Sequence, residues 1–84
     1  MKTTKTFNFK KEGVKVKIIL QKRSITIAIT EGKKTNRKKF DISKENYFEY
    51  IMSIGTFLTN EIMFLVGYKQ TDLIYQYINK KIVK

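Results

Sequence analysis

The segment Val14 to Ile42 limits the possible folds of this chain more than any other. It reads V-K-V-K-I-I-L, Q-K-R-S, I-T-I-A-I-T, E-G-K-K-T-N and R-K-K-F-D-I, three runs of β character separated by two short polar breaks. Val14, Val16, Ile18 and Leu20 alternate with Lys15 and Lys17, and Ile25, Ile27 and Ile29 alternate with Ser24, Thr26, Ala28 and Thr30. A period of two, rich in β-branched residues, belongs to strands with one buried and one open face. The pattern therefore predicts a sheet with one apolar face and one face of Lys, Arg and Thr. The residues after Ser43 read as helix that covers the apolar face.

Taken in order, Phe7-Asn8-Phe9-Lys10 alternates as a short first strand. Lys11-Glu12-Gly13 is the turn, where Gly13 is free to take a positive φ. Val14–Leu20 is the second strand, Gln21-Lys22-Arg23-Ser24 a tight connection, and Ser24–Thr30 the third. Glu31-Gly32-Lys33-Lys34-Thr35-Asn36 reads as a longer, mobile basic loop. Arg37–Ile42 is the fourth strand, with Phe40 and Ile42 inward and Arg37, Lys39 and Asp41 outward. Connections this short favour a meander.

Ser43 has the chemistry of a helix N-cap, with Glu45 placed to meet the helix dipole. Tyr47, Ile51, Ile54, Leu58, Ile62 and Leu65 then recur at helical spacing, opposite Glu49, Ser53, Thr56 and Asn60. Ile62-Met63-Phe64-Leu65-Val66 is apolar all round, so enclosure by the last helix or by a second subunit is expected. Gly67 fits a helix stop. Tyr68-Lys69-Gln70 reads as a link, Thr71 or Asp72 as a cap, and Asp72 to Val83 as a last helix. Its apolar side is Leu73, Ile74, Tyr77, Ile78 and Ile82. The expected fold class is α+β: a four-stranded antiparallel meander followed by one long amphipathic helix and a short C-terminal helix. A single domain over 1–84 is expected, with a strand-rich basic half, 1–43, and a helical half, 44–84.

Charge is the strongest global signal. The chain carries 18 Lys+Arg against 7 Asp+Glu, a net +11, and the excess is confined to one half. Residues 1–44 hold 14 basic and 3 acidic side chains; residues 45–84 hold 4 of each. Such asymmetry points to a polyanionic partner, with nucleic acid first and an anionic membrane surface second. The alternatives are charge kept for solubility and lysine enriched by biased coding. Biased coding would raise Glu as well, so it does not account for the scarcity of acids.

Several chemistries are disfavoured. The chain has no cysteine and no histidine, which removes disulfides, thiolate metal sites and the commonest general base. The seven carboxylates show no acid/base or metal-binding spacing, and no phosphate loop or nucleophile elbow occurs. A protein that is not an enzyme and needs no cofactor or metal is expected. Glu49, Asn60 and Glu61 interrupt the most apolar stretch, so no membrane span is expected. The basic start lacks a following apolar run, so no secretory signal is expected, and a cytoplasmic location follows.

The candidate site is the outer face of the sheet. Lys10, Lys15, Lys17, Arg37 and Lys39 fall on it, and Lys22, Arg23, Lys33 and Lys34 lie on loops at its ends. Rows of cations across adjacent strands can follow a phosphate backbone, where counterion release drives binding. Phe7, Phe9 and Phe40 are in phase with the apolar face, so they read as core. Among the helical aromatics, Tyr50 and Tyr75 read as the most exposed.

The segments F-N-F-K-K-E-G-V-K-V-K, R-S-I-T-I-A-I-T-E and R-K-K-F-D-I-S-K-E-N-Y-F-E-Y-I, in β-β-β-β-α order over Phe7 to Leu58, resemble the transcription positive cofactor four family. These are single-stranded-DNA-binding domains related in fold to the Whirly proteins. The resemblance implies a homodimer formed through the helices and single strands held in basic sheet channels. It implies Lys15, Lys17, Arg23, Arg37 and Lys39 as backbone contacts. The chain departs from that pattern in lacking an evident aromatic on the binding face and in adding Gly67–Lys84.

Three readings follow. The first is a non-enzymatic protein that binds single-stranded DNA or RNA. The second is a small phage- or mobile-element-like inhibitor or adaptor that docks on a nucleic-acid-handling protein. The third is a ribbon-helix-helix duplex binder that uses Arg37–Ile42 as its ribbon, which leaves three strands unexplained.

Overall fold

The alternation in Val14–Ile42 is realised as one antiparallel sheet. The computed structural model describes residues 2–42 and 47–82, apart from the side chains of Tyr47 and Ile82. The strands are β1 (Thr3–Phe9), β2 (Val14–Leu20), β3 (Ser24–Glu31) and β4 (Lys34–Asp41), in spatial order β1-β2-β3-β4. Two helices follow, α1 (Tyr47–Val66) and α2 (Tyr68–Ile82). The fold is thus the expected α+β meander with a long helix and a second, shorter one.

The register assigns each side chain to a face. Opposed residues share a face, and neighbours along a strand alternate. On the helix side, rows across the four strands read Lys5–Ile18–Ile27–Lys38, Phe7–Val16–Ile29–Asn36 and Thr3–Leu20–Ile25–Phe40. Ile51, Ile54, Leu58 and Ile62 of α1 and Ile74 and Ile78 of α2 close over these rows. Ile18, Ile27, Ile54, Leu58, Ile62, Ile74 and Ile78 are wholly buried. Burying a side chain of this kind stabilises the fold by about 1.5–3 kcal/mol before entropy is counted.

Three boundaries differ from the sequence reading, each for a local reason. β1 begins at Thr3 rather than Phe7, because Thr3–Thr6 can pair with the exposed edge of β2. The segment Glu31–Asn36 is not a long loop. Gly32 has φ +62°, so Gly32-Lys33 alone reverses the chain as a two-residue turn, and Glu31 pairs with Lys34. The last helix starts at Tyr68 rather than Asp72. Gly67, at φ +90°, ends α1 by donating its N–H to the Met63 carbonyl. Its own carbonyl accepts the Thr71 N–H at 3.1 Å and the Thr71 hydroxyl at 2.9 Å. One left-handed glycine therefore terminates one helix and caps the next. Thr71 lies buried inside α2 rather than capping it, and Asp72 accepts a bond from Gln76 one turn on.

The helices also sort their aromatics differently from the sequence reading. Tyr50 is buried in the core, and Tyr75 is half-buried against Gly55 of α1. A Cβ at Gly55 would stand 3.2 Å from Tyr75 Cε1, so the missing side chain is what lets the helices close. Phe48 and Tyr68 are exposed, as is Leu73, and Phe64 is 95% exposed. The apolar stretch 62–66 is therefore only partly enclosed by α2, since Phe64 points away from both the sheet and α2. The proposed cap Ser43 and first-turn Glu45 lie outside the described residues, as does Val83.

Candidate nucleic-acid interface

The sheet face opposite the helices is open, and its pattern is ordered. Across β1 to β4 its rows read Thr4–Ile19–Thr26–Lys39, Thr6–Lys17–Ala28–Arg37 and Asn8–Lys15–Thr30–Thr35. β3 thus supplies a floor of small side chains, Thr26, Ala28 and Thr30. β2 supplies Lys15 and Lys17 along one side, and β4 supplies Arg37 and Lys39 along the other. The four cations are exposed, whereas Thr26 and Thr30 are half-buried and Ala28 is buried. Adjacent strands lie about 4.8 Å apart, so the two cationic rails are about 10 Å apart at their backbones. The result is a shallow basic trough along β3.

The floor is partly ordered by its own hydroxyls. Thr30 and Thr35 share a cross-strand hydrogen bond of 3.2 Å, a pairing that braces antiparallel neighbours. At the start of β3, Ser24 donates to the Gln21 side chain at 3.1 Å, and the Ile42 N–H reaches the Arg23 carbonyl at 2.8 Å. These bonds hold the Lys22-Arg23 turn at one end of the trough, where Lys2, Gln21, Lys22 and Arg23 line a concavity. At the other end the β1–β2 and β3–β4 turns meet, with the Gly32 N–H 3.4 Å from the Gly13 carbonyl. Lys33 sits in the second of these turns.

Of the nine site residues expected from sequence, Lys15, Lys17, Arg37 and Lys39 come together on one face, and Lys22, Arg23 and Lys33 flank its ends. Two placements change. Lys10 is not on the strand face; it opens the β1–β2 turn, where its carbonyl accepts the Gly13 N–H at 3.2 Å, because the chain already reverses after Phe9. Lys34 is not on a loop; it begins β4 and lies on the helix side of the sheet, opposite Glu31.

The helix-side lysines of the edge strands have another setting. Lys5 Nζ lies 5.6 Å from the Phe7 ring centroid, and Lys38 Nζ lies 5.4 Å from Phe40 and 6.0 Å from Phe57. Lys81 stands 5.7 Å over Tyr77, whose ring meets Phe7 edge-on. Cations over aromatic faces close the two open flanks of the sheet–helix sandwich. The signal for this was present in the alternation, which puts Lys38 in phase with Phe40.

Among the described residues no aromatic ring lies on the open face, and Ile19 is its one large apolar side chain. Phe7, Phe9 and Phe40 all pack toward the helices. Among the described residues no three His, Cys, Asp or Glu side chains converge as a metal site. Among them no helix is long and apolar enough to cross a membrane. Comparison with protein-family models, with characterised proteins and with solved structures finds no match.

Proposed function

We propose that this is a non-enzymatic protein that binds single-stranded nucleic acid along the open face of its sheet. The observation that carries this reading is the trough itself: two rails of exposed cations on either side of a floor of small residues, Thr26, Ala28 and Thr30. One phosphodiester chain laid along β3 would meet Lys15 and Lys17 on one side and Arg37 and Lys39 on the other. Its charge would be neutralised and its counterions released. The cationic turns at the ends prolong the track. A duplex would present a second, broader surface to a face without a protruding element to enter a groove.

The test is fluorescence anisotropy with labelled single-stranded DNA, RNA and duplex DNA at low and high salt. Preferential, salt-sensitive binding of a single strand is expected. Absence of salt-sensitive binding to all three, together with nuclease-resistant capture of one protein partner, would replace this reading with that of an inhibitor docked on an acidic surface.

We also infer that two copies associate through their helices. Two chains of net +11 repel each other face to face at the sheet, whereas the helical half has balanced charge. That half also exposes Phe48, Met52 and Tyr68, and Met52 and Tyr68 line one groove between α1 and α2. Such pairing would leave both troughs open. Sedimentation equilibrium should show a dimer that Tyr68→Glu dissociates; a monomer at all concentrations would remove the inference.

A further inference from the structure

The open face differs from a stacking platform in a way that specifies what part of a nucleic acid it contacts. We propose that the trough binds the sugar-phosphate backbone alone and leaves the bases outside the interface; this rests on the nucleic-acid reading above. Proteins that grip bases without sequence preference do so by stacking them on aromatic rings. Every aromatic residue of the strands is turned away from this face and engaged elsewhere. Phe7 packs against Tyr77, Phe40 against Phe57, and Phe9 against the core. Strand phase binds them there: Phe7 and Phe9 share the helix side of β1 with Lys5, and Phe40 shares that of β4 with Lys38, so a one-residue slip that turned a ring outward would flip its whole strand and break these ring contacts.

Apart from Asp41, opposite Ser24 at one end of the face, what remains suits anionic oxygens. Arg37 offers a planar fork of donors for phosphate, and lysines offer mobile point charges. The Thr26 and Thr30 hydroxyls sit between the rails, within reach of a chain resting on the floor. Ala28, between Lys17 and Arg37 in the central row, is itself buried and puts no bulky side chain between the two cations. No side chain on the floor is large or flat enough to hold a base.

The experiment compares a labelled oligo(dT) with an abasic deoxyribose-phosphate chain of equal length, each at several salt concentrations. Affinities within about threefold of each other are expected, since one lost stacked base would already cost about fivefold. The two ligands should also share one slope of log K against log salt, because they offer the same phosphates. Lys17→Glu with Arg37→Glu should weaken both at least about tenfold, while a thermal melt verifies that the variant is folded. If the charge-reversed chain does not fold, Lys17→Ala with Arg37→Ala repeats the test at exposed positions. Binding of oligo(dT) with loss of the abasic chain would overturn the backbone-only proposal and leave nucleic-acid binding standing. Failure of both ligands to bind would overturn the broader reading as well. Unchanged binding by the variants would place the contact elsewhere and overturn the trough as its site.

Discussion

The two central rows of the sheet, one on each face, use cationic side chains in opposite ways. On the open side the row is Thr6–Lys17–Ala28–Arg37, with cations flanking a small residue and facing water. On the helix side it is Lys5–Ile18–Ile27–Lys38, with two wholly buried isoleucines in the middle and a lysine on each edge strand. There the cations rest over Phe7, Phe40 and Phe57. Lys38 and Lys39 are neighbours in sequence, yet one seals the sandwich and the other joins the trough. Charge density in a sequence thus does not equal binding surface; strand phase divides it into two populations.

The comparison can be broken most strongly from below. Leu58→Ala or Ile27→Ala removes a wholly buried side chain and should cost about 2–5 kcal/mol in urea unfolding. Both faces would then lose their common support. A fully cooperative melt at unchanged midpoint would contradict the core described above.

Charge reversal on the open side should separate binding from folding. Lys15→Glu with Lys17→Glu is expected to reduce affinity for a single strand by at least about tenfold, or about 1.4 kcal/mol. The unfolding midpoint should stay near that of the parent, as both side chains are exposed. Normal binding would show that the sheet face is not the site.

Gly67→Ala addresses the hinge that places α2 over the sheet. Its φ of +90° is unfavourable for a residue with a Cβ, so a loss of about 1–2 kcal/mol is expected by thermal melting. Equal stability would mean that the helices can be joined in another way.

The smallest effect sharpens the contrast between faces. Lys38→Ala should lose about 0.5–1 kcal/mol of stability through its ring contacts and leave affinity nearly unchanged. Lys39→Ala should do the reverse, lowering affinity and the salt slope without moving the melt. Identical profiles for the two would show that phase does not separate them.

Much of this architecture was legible in the chain. Alternation in Val14–Leu20 and Ser24–Thr30 located the central strands and their inner faces, and Ile51, Ile54, Leu58 and Ile62 marked the buried side of α1. Lys15, Lys17, Arg37 and Lys39 fall on one face for the same reason. Local pattern and structure part where a partner strand or helix outweighs the pattern. Polar Thr3–Thr6 shows no apolar alternation, and β2 recruits it by pairing its edge. Lys34–Asn36 has the composition of a loop, and the tight Gly32 turn draws it into β4. Tyr50 and Phe64 both belong to apolar stretches of α1, yet one is buried and the other is 95% exposed.

Sequence alone determined the faces of the strands and the stripe of the first helix, because side-chain direction follows backbone periods of 2 and 3.6 that are local properties. It also determined that Gly13 turns the chain and that Gly67 stops a helix. Tertiary structure decided which positions on those faces meet another element: the register that aligns Lys17, Ala28 and Arg37 in one row, the docking of α2 against Gly55, and the lysines that lie over rings. These depend on contacts between residues far apart in the chain, whose geometry no local period encodes.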